Sequence, residues 1–300
     1  MRTAFVFPGQ GSQHPGMVKE VLKNEPAAME IYDLAREICG VDLLELCEKG
    51  DPEALARTDH CQIGVAATSL AWLESLRRRG FVPQAVAGHS LGEYCAACAA
   101  GCMSITDCLR LVWFRGRAML KCSRKRPGGM LALLGVDHGR AASLLEKTGG
   151  GERVSLANLN SSSQVVLAGD PEDLRDTAAR MQGHGIRAIS LKVGGAFHTQ
   201  AMHEAQEEMT EHLAAARLSM PSITFYSAFT GSQVSSAEEV VDCLSRGMTS
   251  PVRWLQVQGS LVEEGIERQI EVGPGDTLSR MGRRDHPHVL FMRAVEALGG

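Results

Sequence analysis

A surplus of one sign of charge and a long apolar run are both missing from this sequence. Its 300 residues carry 31 Lys and Arg against 35 Asp and Glu, so the net charge is -4 with neutral His. Nucleic-acid binding through a broad cationic field is therefore disfavoured. The first apolar segment stops at Pro8, and no stretch approaches the roughly 18 apolar residues that span a membrane. We expect a cytoplasmic protein with no nucleic-acid and no membrane partner.

Regularly paired cysteines are also absent. The nine cysteines are odd in number and scattered, and a chain of this size does not need disulfides to fold, so we expect reduced thiols. Cys95 and Cys98 form a CxxC, but they lie in an alanine-rich helical segment with no second pair of ligands. We interpret them as small core side chains, and we expect no metal and no bound cofactor.

What is present is an ordinary globular composition, 44% hydrophobic and 22% charged, in a chain long enough for about two domains. Between 127 and 198 the pattern of short elements follows the split ferredoxin-like order βαββαβ. The flanking segments alternate strands and helices, as a layered α/β structure does. We therefore predict a discontinuous α/β domain over 1–126 and 199–300, with a small domain at 127–198 inserted into it.

The predicted elements place the motifs on the chain. Strands are expected at 4–7, 84–88, 130–135, 154–159, 164–169, 187–193, 223–227 and 268–275. Helices are expected in the stretch up to about residue 80, including 64–79, then up to residue 100 and at 105–120, 138–147, 171–183, 237–246, 251–264 and as a final helix after 275.

A candidate nucleophile lies in the segment Gly88-His89-Ser90-Leu91-Gly92. This G-x-S-x-G falls between a predicted strand and a predicted helix, which is the setting of a nucleophile elbow. The glycines permit a tight turn, and the helix N-terminus favours developing negative charge. A structural turn without catalysis is the alternative.

The candidate base is His198, which follows Gly194-Gly195-Ala196-Phe197 at the end of a predicted strand. Side chains at strand ends are commonly presented to α/β active sites. His89 adjoins Ser90, but neighbours on a tight turn point in different directions, so we expect His89 to pack or hydrogen-bond within the site rather than to act as the base. His198 and His203 lack an HExxH frame, so a zinc site is not expected. A structural histidine is the alternative for His198.

Arg115 lies in the middle of the apolar stripe of the predicted helix 105–120. Burying a guanidinium without a partner is costly, so it must meet either an internal carboxylate or one delivered by a ligand. A bidentate fork suits a carboxylate well. If a ligand supplies the carboxylate, the serine handles an acyl group that ends in one.

Taken together, the motifs resemble those of the malonyl-CoA:acyl carrier protein transacylases and of polyketide synthase acyltransferase domains. They run in family order from residue 5 to 275. The matching segments are Phe7–Gln13, Gly88–Tyr94, Arg115-Gly116, Asn158 with Asn160, Gln164–Val166 with Gly169, Gly195–His198, Ser250–Trp254 and Glu271–Gly275.

The resemblance implies a hydrolase-like α/β large domain with a ferredoxin-like insertion. It also implies residue roles. Ser90 is the nucleophile and His198 its base, the backbone N–H groups of Gln10 and Leu91 form the oxyanion hole, and a carbonyl at Gly247 orients the histidine. Arg115 clamps the malonyl carboxylate, Gln62 lies beside the site, and Phe197 matches a pattern that selects malonyl over bulkier units.

The implied reaction moves malonyl from malonyl-CoA to the phosphopantetheine thiol of an acyl carrier protein, for fatty-acid or polyketide synthesis. The alternatives are a hydrolase that clears acyl groups from carrier proteins and a non-catalytic docking module. Carrier proteins are acidic, so a transient basic docking surface is expected at Lys121 and Arg124–Arg126, together with Arg77–Arg79; solvated surface charge is the alternative. We expect a monomer.

Overall fold

The larger of two β-sheets is built from short, buried and mainly parallel strands. The computed structural model describes residues 1–25, 28–147 and 154–299. The strands of this sheet are β1 (Thr3–Phe7), β2 (Ala85–Gly88), β7 (Thr224–Tyr226), β8 (Gln233–Val234), β9 (Arg268–Glu271) and β10 (Leu290–Arg293). They lie in the order β10-β9-β1-β2-β7-β8, and only β8 runs antiparallel to its neighbour. Every residue of β1 and β2 is buried, as expected for strands covered on both faces.

Helices cover this sheet. Those before the inserted segment are α1 (Met17–Asn24), α2 (Met29–Cys39), α3 (Leu43–Lys49), α4 (Pro52–Ala56), α5 (Thr58–Arg78), α6 (Gly92–Ala99) and α7 (Ile105–Lys125). Those after it are α10 (His203–Ala215), α11 (Ala237–Arg246), α12 (Trp254–Glu263), α13 (Thr277–Asp285) and α14 (Ala294–Ala297). Ser104 caps α7 by accepting a hydrogen bond from the backbone of Asp107.

The inserted segment forms a second, four-stranded sheet. Its strands are β3 (Gly129–Leu134), β4 (Val154–Ser161), β5 (Gln164–Gly169) and β6 (Arg187–Ser190), and its helices are α8 (His138–Lys147) and α9 (Pro171–Gly183). The strands are antiparallel in the order β4-β5-β3-β6. They have a hydrophobic core of their own that includes Leu131, Leu133 and Leu167. The predicted element order βαββαβ is therefore confirmed, although 148–153 of the proposed insertion lie outside the described residues.

The small sheet contacts the large domain through β4. Asn158 pairs with Val252 in an isolated parallel bridge, and the backbone N–H of Val252 donates to the carbonyl of Ala157 at 2.9 Å. Because Val252 is extended where it pairs with β4, α12 begins at Trp254. The prediction that this helix begins at 251 was therefore wrong at its N-terminal end. The bridge connects the small sheet to the segment that precedes α12.

Several predicted boundaries differ from the structure. The strand expected at 187–193 ends at Ser190, and the strand expected at 268–275 ends at Glu271, before turns at Gly273 and Gly275 that both have positive φ. The short strands β8 and β10 were not predicted. Each lies at a sheet edge, and Leu290 of β10 is 46% exposed, so neither has the apolar pattern that marks a buried strand. No helix in the described ranges has the length and apolarity needed to cross a membrane.

Candidate active site

Ser90 lies at the corner between β2 and α6. Its φ is 56°, a left-handed conformation that a non-glycine residue rarely adopts. The flanking glycines are required by contact: a Cβ on Gly88 would lie 2.1 Å from the backbone of Gly92, and one on Gly92 would lie 2.2 Å from the Phe7 carbonyl oxygen. The G-x-S-x-G thus forms a strained strand–turn–helix corner of the kind that presents a nucleophile.

His198 is the histidine that contacts Ser90. Its Nε2 lies 2.9 Å from Ser90 Oγ, and its Nδ1 lies 2.8 Å from the carbonyl oxygen of Gly247. Since that carbonyl can only accept, Nδ1 carries the hydrogen and Nε2 is free to accept from the serine hydroxyl. Burial and the charge of Arg115 lower the pKa of His198 from its usual value to about 3. The imidazole is therefore neutral at physiological pH, the form a general base requires.

Arg115 is 2% exposed and contacts the candidate nucleophile directly. Its Nη2 donates to Ser90 Oγ at 3.0 Å and its Nη1 donates to Gln62 Oε1 at 2.6 Å. Its Nε is buried with no hydrogen-bond partner. No ion pair between Arg115 and a carboxylate is found within the parts of the chain that the structure describes. The alternative of an internal salt bridge to Arg115 is therefore wrong for those residues. Arg115 therefore has no directly paired carboxylate inside the site, although the charge of nearby Glu93 acts to raise its pKa.

Gln62 fixes the direction of that guanidinium. The side chain is fully buried, and while Oε1 accepts from Arg115, Nε2 lies 3.3 Å from the sulfur of Met119. With its amide held at both ends, Gln62 has little rotational freedom. The structure therefore brings Gln62, Arg115, Ser90, His198 and Gly247 into one connected network, as the sequence prediction grouped them.

Gln10 and Leu91 are the residues whose backbone N–H groups are expected from the sequence to form an oxyanion hole. Leu91 directly precedes α6, and Gln10 lies in the loop after β1. Within the described residues, neither backbone N–H donates to another protein group. Unused N–H groups beside a nucleophile are what an oxyanion hole requires.

A cavity of about 210 Å³ opens onto Ser90 and lies between the two sheets. Phe197 lies in its wall and is 4% exposed. The large domain and the insertion both contribute to the lining, which includes Gln10, Ser12, Ser90, Arg115, Met119, Met130, Asn158, Asn160, Val166, Leu191, Val193, Phe197, His198, Leu278 and Met281. A largely apolar cavity that also contains the Arg115 side chain suits a flexible acyl-thioester arm.

The structure places three further polar residues around the site. Sequence reasoning gave a role only to the first of them, His89, which was expected to pack or hydrogen-bond within the site. His89 donates from Nε2 to Asn160 Oδ1 at 2.9 Å, which connects the corner to β4. Asn158 lines the cavity with its Oδ1 buried and without a partner. Glu93 is buried beneath Ser90 and His198. One sequence feature could have pointed to Glu93: it is the single charged residue in the segment 92–99.

The cysteines are free thiols, and Cys95 and Cys98 are buried in α6, as expected of small core side chains. The described residues contain no group of three or more His, Cys, Asp or Glu side chains arranged to hold a metal ion.

The basic residues do not form a single patch. Lys121 pairs with Glu208 at 3.1 Å, Lys125 pairs with Glu204, and Arg124 is exposed beside them. Gly116 of α7 packs against Asp59 at the start of α5. Arg77–Arg79 lie at the far end of α5, about 27 Å along its axis. The two basic groups therefore lie far apart, and their role in docking stays a prediction.

The fold and the connected serine, histidine and arginine are those of an acyl-transferring α/β enzyme. The family model described as acyl transferase domain matches residues 4–295, and the chain belongs to this family.

Three known proteins show the similarity in detail. The chain is 35% identical to the malonyl CoA-acyl carrier protein transacylase of Bacillus subtilis, over 94% of this chain and 90% of that protein. It is 38% identical to the polyketide biosynthesis protein ThaF of Burkholderia thailandensis, over 95% of this chain but 24% of that larger protein. A type II PKS malonyl-transacylase solved in complex with its acyl-carrier protein superposes with a TM-score of 0.94 at 29% identity, covering 99% of this chain and 98% of the other.

Proposed function

We propose that this protein transfers a malonyl group from malonyl-CoA to the phosphopantetheine thiol of an acyl carrier protein through an acyl-enzyme on Ser90. The observation that carries the proposal is the position of Ser90 Oγ between His198 Nε2, at 2.9 Å, and Arg115 Nη2, at 3.0 Å. A neutral base and a cation with no directly paired carboxylate, both on one nucleophile, suit an acyl group that ends in a carboxylate. The names of the relatives support the same substrate and acceptor.

In the first half-reaction, His198 accepts the Ser90 proton while Ser90 Oγ attacks the thioester carbonyl. The carbonyl oxygen becomes an oxyanion between the backbone N–H groups of Gln10 and Leu91, each worth roughly 10²–10³ in rate. The carbon–sulfur bond then breaks, and the leaving thiolate takes the proton from His198. Gly247 accepts from Nδ1 throughout and holds the tautomer.

In the second half-reaction the carrier thiol gives its proton to His198 and attacks the Ser90 ester. The same two N–H groups stabilise the oxyanion, and Ser90 leaves with the proton returned from His198. The reaction needs no oxidant, reductant or metal, in keeping with the expectation that no cofactor is bound.

Arg115 and Phe197 are proposed to select the acyl group. The guanidinium binds the distal carboxylate and so disfavours neutral acyl chains. The ring of Phe197, in the cavity wall, limits branching at the acyl chain. One methylene is worth about 1–3 kcal/mol, so we expect malonyl to be preferred over a methyl-branched unit by tenfold to a few hundredfold.

We further propose a hydrolase-like large domain over 1–126 and 199–300 and a ferredoxin-like small domain over 127–198. The sheet order β4-β5-β3-β6 supports the second assignment. The exposed charges of Lys121, Arg124, Lys125 and Arg126 are proposed to meet an acidic carrier protein. A monomeric state and a cytoplasmic location stay predictions from the sequence. No observation favours the hydrolase alternative, since an acyl hydrolase for neutral chains gains nothing from Arg115.

Intact-mass measurement tests the proposal. Incubation with malonyl-CoA should add one malonyl group to the protein, Ser90→Ala should abolish the adduct, and added holo carrier protein should remove it. A protein that forms no malonyl adduct would contradict the transferase assignment. An adduct lost to water at the same rate with and without carrier would favour the hydrolase.

A further inference from the structure

Glu93 is a buried carboxyl group that the mechanism above does not use. It lies in the first turn of α6 and is 4% exposed. The rest of that helix is apolar or small, with the sequence Gly92-Glu93-Tyr94-Cys95-Ala96-Ala97-Cys98-Ala99. An ionisable group at such a position costs free energy, so the partners that hold it are informative.

One carboxylate oxygen organises the turn that follows β7. Glu93 Oε1 accepts a hydrogen bond from Ser227 Oγ, and Ser227 Oγ accepts one from the backbone N–H of Phe229 at 3.0 Å. Ser227 is fully buried, so this chain of hydrogen bonds is shielded from water. Glu93 therefore connects the nucleophile's helix to the turn at 227–229.

The other oxygen lies under the residue that orients the base. A Cβ placed on Gly247 would stand 3.8 Å from Glu93 Oε2 and 3.8 Å from the Cβ of Phe229. Gly247 is the residue whose carbonyl accepts from His198 Nδ1. The carboxylate and the 227–229 turn thus lie beside Gly247, on the side where a side chain would project.

Glu93 also faces the charged groups of the site. Together with Ser90, Arg115, His198 and Gly247 it lines a hollow of about 10 Å³. The titratable groups packed around it are Arg115 from α7, His198, Tyr94 from its own helix and Cys243 from α11. Burial raises the pKa of Glu93 to about 7, against the opposing effects of the Ser227 hydroxyl and the charge of Arg115. The group therefore changes charge close to neutral pH.

We infer that Glu93 is a positioning residue: it holds the Gly247 carbonyl against His198 and, as an anion, stabilises the imidazolium that forms when Ser90 attacks. In this arrangement the Glu93 carboxylate acts on the histidine in two ways, through the Gly247 peptide and through its own negative charge. It makes no direct hydrogen bond to the ring. Glu93 forms and breaks no bond itself. The inference rests on the proposed function in that Ser90 and His198 are taken as the reacting pair.

The test compares Glu93→Gln with the wild type across pH 5.5–9. Glu93→Gln keeps the size and an acceptor for Ser227 but removes the charge. We expect kcat for malonyl transfer at pH 8 to fall about tenfold with little change in KM, because one pKa unit of lost imidazolium stabilisation is a factor of ten. The wild-type rate should rise through about pH 7 as Glu93 ionises. The variant should lack that rise.

Ser227→Ala is the matched control. It removes the hydroxyl that lowers the pKa of Glu93 and leaves the carboxylate in place. The rise in rate should therefore move to higher pH, a shift that a purely structural role would not produce. Glu93→Asp, which restores the charge, should restore part of the rise. Thermal unfolding of each variant at pH 6 checks that the fold is kept, and if Glu93→Gln does not fold, the Ser227→Ala shift still tests the inference.

A Glu93→Gln enzyme with the wild-type rate and pH profile would overturn the inference, as would a loss of equal size at every pH. The pH dependence of Ser90 labelling by a fluorophosphonate probe gives a second readout that needs no malonyl group. If labelling follows the predicted profile but malonyl-CoA leaves no adduct, the proposed function fails and the role of Glu93 stands.

Discussion

Arg115 and Lys125 lie about three turns apart on α7, yet their surroundings differ completely. Lys125 is exposed and paired with Glu204. Arg115 is buried, held by two neutral side chains, and left with an unpartnered Nε. An exposed pair contributes little because water screens it, whereas a buried cation with no directly paired carboxylate keeps a strong attraction for one. The comparison supports the proposal that the carboxylate partner of Arg115 comes from a ligand.

The largest expected effect comes from removing the buried cation. Arg115→Ala should lower kcat/KM for malonyl-CoA by about 100-fold or more, since truncating one partner of a desolvated charge contact costs 2–5 kcal/mol. Loading from acetyl-CoA should be unchanged or improved. Steady-state kinetics with each thioester measure the two values, and Lys125→Ala on the same helix serves as the control. Equal losses for both thioesters would make Arg115 a structural residue.

A smaller loss is expected when the support of Arg115 is removed. Gln62→Ala deletes the acceptor of Nη1 and should reduce malonyl loading about tenfold, in line with the value of a hydrogen bond to a charged group. Acetyl loading should change much less, because the neutral acyl group makes no use of the guanidinium. A Gln62→Ala enzyme that discriminates as well as the wild type would show that Arg115 needs no such support.

The buried charge should also act on the base. Burial and Arg115 both lower the pKa of His198, so its imidazole should stay neutral from pH 8 down to 5 when followed by NMR of labelled histidine. Arg115→Ala removes one of these two causes, and the pKa of His198 should then rise. A wild-type midpoint near pH 6.5 would contradict the account of a buried, neutral base.

The smallest effect is expected at the exposed end of α7. Arg124→Glu should leave malonyl loading unchanged and raise KM for the carrier protein by a few-fold, because rim charges mainly alter encounter rates. The increase should shrink at high salt, where surface charges are screened. Carrier kinetics at two ionic strengths measure it, with Arg78→Glu at the far end of α5 as the control. An equal effect of both changes would contradict a docking surface at α7.

Local pattern predicted much of this molecule. The corner around Ser90, the buried stripe of α7 and the βαββαβ segment each follow from residues close together in sequence. Gly247 and the backbone of Gln10 could be named only by resemblance, because nothing in their side chains marks them. The edge strands β8 and β10 were missed because they are short and half-exposed.

Glu93 shows why the rest was out of reach. Its partners Ser227 and Gly247 are more than a hundred residues away in the chain, and their meeting depends on how β7 and α11 pack against α6. A lone carboxylate in an apolar helix signals only that some partner exists. Which groups surround it, and that they include the Gly247 segment beside His198, are properties of the tertiary structure.

A competition experiment tests the central claim most directly. The protein is mixed with equal amounts of malonyl-CoA and acetyl-CoA, and the Ser90 adducts are separated by intact mass. A buried cation that awaits a carboxylate predicts mostly malonyl adduct on the wild type and mostly acetyl adduct on Arg115→Ala. The same ratio of adducts on both proteins would contradict it.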